Sequence, residues 1–152
     1  MGAAMDAAQT DAAALHLDAL TGLPGRDAAC ARLAEWLDRG EPVHALLIGL
    51  RRFDAVNLAY GSLTGDAALA EVAARLRHFA HGELDGAWIA ARGGGGRFLL
   101  LSTEPCSRER WQMVGAQVLD LLSRPLAVGG ATLRLSPRGA LSIATAEDRH
   151  KL

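Results

Sequence analysis

Apolar residues recur along the chain in two rhythms, and the switches between them lay out the predicted elements. Ala29, Leu33, Trp36 and Leu37 return at three- and four-residue intervals, the spacing of one helix face. Gly22, Pro24 and Gly25 make a turn ahead of this helix, and Gly40 with Pro42 stops it. Residues 43–50, "VHALLIGL", are a short apolar run bounded by breakers and predict a buried strand. From Phe53 the helical rhythm returns, with a break predicted over "YGSLTGD" around Gly61 and Gly65. Beyond it Leu69, Val72, Ala73, Leu76 and Phe79 mark a second helix face, with Asp66 placed as its cap. "AWIAAR" and "RFLLLS" predict two strands joined into a hairpin by the four glycines at 93–96. A further helix is predicted over Arg108–Leu122, its buried side formed by Trp111, Val114, Val118, Leu121 and Leu122. Three short strands close the chain, "PLAV", "ATLRLS" and "RGALSIAT", the first two joined by Gly129 and Gly130. Helices set apart from a largely antiparallel sheet predict an α+β domain.

Length and composition narrow the class. A chain of 152 residues suits one domain, able to bury roughly two thirds of its unfolded surface without metals or disulfides. The Ala-rich residues 1–17 are expected to form a helical lead-in or linker, and 18–152 the domain. Cys30 and Cys106 lack metal-ligand spacing and are expected to be buried free thiols of a reducing compartment. A formal charge of −1 gives no steering toward nucleic acid or an anionic bilayer. No apolar run approaches the roughly 20 residues of a membrane span, and no basic segment followed by an apolar core opens the chain. The expectation is a cytoplasmic protein with no nucleic-acid partner and no direct membrane insertion.

The segment "ARGGGGRFLLL" invites a phosphate-binding reading. No Gly-Lys-Ser/Thr follows the glycines, and they precede a strand where a dinucleotide fingerprint would precede a helix. Two readings remain from local sequence: an ordinary turn, and a nest of backbone N–H groups that holds an anion. His78 and His81 stand three apart near a helix end, but no third ligand is arranged around them, and a solvated helix terminus is the simpler account.

Three stretches together resemble the GGDEF family, the diguanylate cyclase domains of bacterial signalling that make cyclic di-GMP from two GTP molecules. "DALTGLPGR" is similar to the family's Asp-x-Leu-Thr-Gly-Leu-x-Asn-Arg motif, with Gly25 in place of Asn. "LLIGLRRFDAVNLAYGSLTGDAAL" resembles the metal- and guanine-binding segment, and "ARGGGGRFLLL" the signature hairpin. Order and spacing agree from Asp18 to Thr145. The resemblance implies a nucleotide-cyclase-like fold with a ferredoxin-like core, with the family's final helix missing.

The departures fall on the acids. Aligned on Phe98, the signature is Gly94, Gly95, Gly96, Arg97 and Phe98, so Gly96 and Arg97 replace the acidic pair. Aligned on Phe53, Gly49 and Arg51 replace the two aspartates of the preceding strand, and Asp54 stands at the lysine position. In the family a 3′-hydroxyl attacks the α-phosphate of a facing GTP, with Mg²⁺ neutralising the developing charge. Gly49 and Gly96 are the lost metal positions, so Mg²⁺ is not expected to bind there, no cofactor is expected and no cyclase activity is expected.

Asn57 and Asp66 fall where the family contacts guanine, and their amide and carboxylate suit its O6 and N1/N2 edge. An exposed helix residue and a helix cap explain the same two positions without a ligand. Arg97, beside Gly94 and Gly95, is a candidate phosphate contact in place of the metal. Asp85 and Trp88 occupy the family's Arg-x-x-Asp product-inhibition positions, so that site is absent.

The family closes with a helix bearing an Ala-Asp and Tyr-x-Ala-Lys pattern, whereas this chain stops at "EDRHKL", the pattern of a fragment from a longer protein such as a GGDEF-EAL protein. The function expected from the resemblance is a catalytically inactive regulatory or interaction module in cyclic di-GMP signalling. Its alternatives are a GTP-binding allosteric domain acting on an adjacent EAL phosphodiesterase domain, and a residual cyclase using Asp54 or Asp66 as a displaced ligand. The partners implied are GTP, an adjacent signalling domain or a protein, and a second copy of the chain.

Overall fold

The computed structural model describes residues 17–151, so the lead-in expected at the N-terminus lies, Leu17 apart, outside the described residues. Helix α1 (Arg26–Asp38) begins after an extended Gly25 and ends where Gly40 takes a φ of 79°. Strand β1 (Val43–Arg51) follows, then helices α2 (Phe53–Tyr60) and α3 (Ser62–Glu83). Strands β2 (Trp88–Gly94) and β3 (Arg97–Ser102) form the predicted hairpin. Helix α4 (Arg108–Leu122) is capped by Ser107, whose side chain accepts from the Arg110 N–H at 3.0 Å. A small hairpin of β4 (Leu126–Val128) and β5 (Ala131–Leu133) leads to β6 (Ser136–Ala144) and a 3₁₀ segment, Ala146–Lys151.

The main sheet has the order β2-β3-β1-β6 with every neighbouring pair antiparallel, while β4 and β5 pair by themselves. One face packs on α3 and α4: Leu46, Ile48, Phe98 and Leu100 meet Leu69, Val72, Leu76, Trp111, Val114 and Val118 in one buried cluster. The other face receives α1, whose Ala29, Trp36 and Leu37 cover Val43, Ile89, Ala91 and Leu101. Alternation along β1 divides its side chains between these layers. Arg75 of α3 ties the two larger helices together by donating to the carbonyls of Leu121 in the last turn of α4 and of Arg124 and Pro125 just beyond it. The α+β class and the antiparallel sheet flanked by helices agree with the sequence reading.

Three local expectations need correction. The break between α2 and α3 is Gly61 alone, with φ of 90°, and Gly65 lies inside α3. Asp66 therefore does not cap α3: Gly61 occupies that place, and Asp66 is one turn into the helix. Cys30 is exposed and Cys106 half-buried, both as free thiols. Helical spacing accounts for Cys30, since its neighbour Ala29 is the residue of α1 turned toward the sheet.

Candidate functional site

The hairpin tip, the end of β1 and the α2–α3 pair enclose a cavity of about 690 Å³. Its lining includes Gly49, Asn57, Asp66, Arg97 and the glycines at 94–96, together with Arg52, Phe53, Asp54 and Arg92. The structure thus brings together around one space the candidates Gly49, Asn57, Asp66, Gly94, Gly95, Gly96 and Arg97 from two separated segments, whereas Phe98 of the signature is buried in the core and Arg51 does not line the cavity. Asp85 and Trp88 stand at the start of β2, at the other end of the hairpin, and do not line it.

Each wall has a local cause. β1 ends in Arg52, whose left-handed φ of 57° turns the chain abruptly into α2 and places Asn57 on the cavity side. Across the Gly61 break, α3 brings Gly65 so close that a Cβ there would collide with the Asn57 amide oxygen. Gly65 is therefore required by the close approach of a neighbouring helix. Asn57 is half-buried and Asp66 exposed, both directed at the same space as the hairpin.

The four glycines do more than turn. Gly94 pairs with Arg97, with a bulge between Arg92 and Gly94 that sets Gly93 apart from the ladder. Gly94 and Gly95 take φ of 97° and 53°, a region that strongly favours glycine. Leu50 N–H donates to the Gly96 carbonyl at 2.9 Å and stitches the tip to β1. Gly96 itself is closely packed: a Cβ would lie 3.2 Å from Leu50 Cβ and 3.4 Å from Phe53 Cβ. Gly49 differs, because a Cβ there would meet nothing within 4 Å.

Arg92 was missed by sequence reasoning. Its Nε and Nη2 donate to the Gly95 carbonyl at 3.2 and 3.0 Å, and its Nη1 reaches both oxygens of Asp18 at 3.1 Å. Its backbone N–H donates to the Pro24 carbonyl at 2.9 Å. Asp18 also accepts from the Thr21 N–H and hydroxyl at 2.9 and 2.8 Å. Burial pushes the Asp18 carboxyl up, but the bonds from Thr21 and then Arg92 outweigh it and hold the group below the ordinary carboxylate value. Asp18 and Arg92 each lie in a quoted motif, yet no spacing rule connects residues so far apart in the chain.

The comparisons with known proteins agree with this architecture. A family model described as "Diguanylate cyclase, GGDEF domain" matches residues 15–150. The uncharacterized protein y4lL of Sinorhizobium fredii is 31% identical over 135 residues, which cover 87% of this chain and 16% of that protein. The GGDEF domain of PA1120 (TpbB or YfiN) from Pseudomonas aeruginosa superposes with a TM-score of 0.74 at 27% identity, covering 84% of this chain and 75% of that one. Diguanylate cyclase SiaD from the same organism, solved in complex with its activator SiaC, gives a TM-score of 0.78 at 26% identity over 91% of this chain and 54% of that one. An α+β sheet of this order, a glycine hairpin over a cavity and a family match across most of the chain define a nucleotide-cyclase-like domain. The chain belongs to the GGDEF family. It spans about a sixth of the length of the curated relative named here.

Proposed function

We propose that this domain is a catalytically inactive GGDEF module that serves regulation or protein docking in bacterial cyclic di-GMP signalling. The observation that carries the reading is the donor set at the hairpin side of the cavity, where Gly49, Gly96 and Arg97 line the wall. Mg²⁺ requires oxygen ligands in near-octahedral geometry, which glycine side chains do not supply and a guanidinium opposes. The carboxylates of the cavity, Asp54 and Asp66, belong to α2 and α3. Among the described residues no three His, Cys, Asp or Glu gather as a metal-holding group. The residues at the hairpin do not fit Mg²⁺, and no catalytic step is assigned through it. No helix among the described residues is long and apolar enough to cross a membrane, which suits the cytoplasmic setting proposed here.

A second reading rests on a separate observation: Asn57 and Asp66 line the same cavity as Arg97. This arrangement supports GTP binding without turnover, with the nucleotide shifting an adjacent domain, of EAL phosphodiesterase type, between two states by its differential affinity for them. SiaD in complex with its activator SiaC is a similar protein engaged by a protein partner, in keeping with docking as the output.

Two assays separate the readings. Incubation of the purified chain with GTP and Mg²⁺ or Mn²⁺ should yield no cyclic di-GMP, and steady production would overturn the inactive assignment in favour of Asp54 or Asp66 as a displaced ligand. Calorimetric titration with GTP, with and without Mg²⁺ and with ATP as control, then tests binding. Guanine-selective binding that survives chelation and is lost in Asp66→Asn supports the nucleotide sensor. Absence of binding at millimolar GTP leaves the docking module.

A further inference from the structure

Across the end of the sheet, Gly49 of β1 pairs with Arg97 of β3 on one side and with Arg138 of β6 on the other. Directly opposed residues in antiparallel strands project to the same face. That face is the one turned away from α3 and α4, because the neighbouring Ile48 and Phe98 belong to the core beneath those helices. Strands lie about 4.8 Å apart, so the backbones of the two arginines stand about 10 Å apart with a side-chain-free position midway. Arg51 shares the face, paired with Ser136. Arg51, Arg97 and Arg138 are exposed, and none makes an ion pair among the described residues.

Two guanidinium groups flanking an open slot suit an anion long enough to meet both, with oxygens spread along its length. A single carboxylate or phosphate would engage both only if each side chain bent inward over Gly49, whereas a chain of phosphates meets them as they extend from neighbouring strands. Asp54 and Asp66, on the helical side of the cavity, repel the same anion and favour its placement over the sheet end. We propose that Arg97 and Arg138, straddling Gly49, form a metal-independent site for a polyphosphate group. The proposal rests on the nucleotide reading of the adjoining cavity, to which Gly49 and Arg97 belong, and adds Arg138 from an edge strand outside it. The group is the triphosphate of a nucleotide or a free polyphosphate; both present the same chemistry.

The test is titration of the whole chain in EDTA with GTP, inorganic triphosphate and guanosine. Variants Arg97→Glu and Arg138→Glu are compared with Arg39→Glu, a charge control on the exposed residue just beyond α1. GTP and triphosphate are expected to bind the wild type, with affinity reduced about tenfold or more in both site variants and unchanged in the control. Guanosine binding should not respond to Arg138→Glu. Triphosphate binding that depends on Arg138, with no guanosine binding and no preference for GTP, would uphold the polyphosphate site and sink the nucleotide reading. Guanine-selective GTP binding that is indifferent to Arg138→Glu, or that requires Mg²⁺, would overturn the polyphosphate site and leave the nucleotide reading standing. Failure of all three ligands to bind would overturn both.

Discussion

At its N-terminal end β1 buries His44 against Trp111, with ring centroids 5.3 Å apart, whereas further along the same strand Gly49 presents no side chain between two arginines. The first end is an aromatic pair beside a smaller cavity of about 290 Å³. Trp111 Nε1–H donates to the Ala45 carbonyl at 2.9 Å, and burial pushes the His44 imidazole down in pKa against weaker opposition from the Cys106 backbone and Glu104. The second end is open, cationic and bordered by a cavity. One strand thus carries a packed aromatic pair at one end and an open position between two arginines at the other, and the difference lies in what stands opposite each residue across the sheet.

The largest effect should come from the stretch that both ends share. Leu46, buried in the main core, when replaced in Leu46→Ala should lower stability by about 2–5 kcal/mol, measured by urea denaturation. Such a loss would strike both ends alike.

Restoring acids to the open end should separate its two glycines. Gly96→Glu crowds Leu50 and Phe53 and is expected to cost about 1–3 kcal/mol. Gly49→Asp enters open space and should stay within about 0.5 kcal/mol of wild type. Equal costs for the two would contradict the packing assigned to the hairpin tip.

The clamp on that tip has a smaller, pH-dependent effect. Asp18→Asn should lose about 1 kcal/mol at neutral pH. Because the folded pKa of Asp18 is depressed, its stabilisation is present above the unfolded value and lost as pH falls through the folded one. The wild type should therefore steepen in acid, below about pH 4, where the variant stays flatter. Parallel acid limbs would remove Asp18 from the account.

At the packed end the change should be least. His44 Nδ1 is buried with no hydrogen-bond partner, so His44→Phe removes an unsatisfied polar atom, keeps an aromatic ring beside Trp111 and should lie within about 1 kcal/mol of wild type near pH 8. Its folded pKa is lowered, so the neutral ring contributes above the unfolded value near 6.5 and loses that contribution as pH falls. Thermal melts from pH 8 to pH 5 should show that slope in the wild type and a weaker one in the variant.

Much of the fold was legible because burial is written in local periodicity. Helix α4 matches its predicted range, with Ser107 as the cap and Trp111, Val114 and Val118 at helical spacing toward the core. Strand β1 and the glycine hairpin were equally visible. Reading Gly65 as a breaker failed because glycine answers two needs, a turn or a close approach, and here it admits Asn57 of the preceding helix. Asp66 was misplaced as a cap for the same reason, since Gly61 alone makes the break.

The site divides in the same manner. Motif resemblance named Gly49, Asn57, Asp66, Gly96 and Arg97, because each sits at a set distance from Phe53 or Phe98. The sequence by itself determined the family, the order of elements and the replacement of acids by glycine and arginine, all of which depend on residue identity and near-neighbour spacing. Only the tertiary structure decided that Arg92 reaches from Gly95 to Asp18, and that Arg138 stands across Gly49 from Arg97. Those relations are set by strand order and register, which emerge when separate segments pack on one core, and no local pattern carries them.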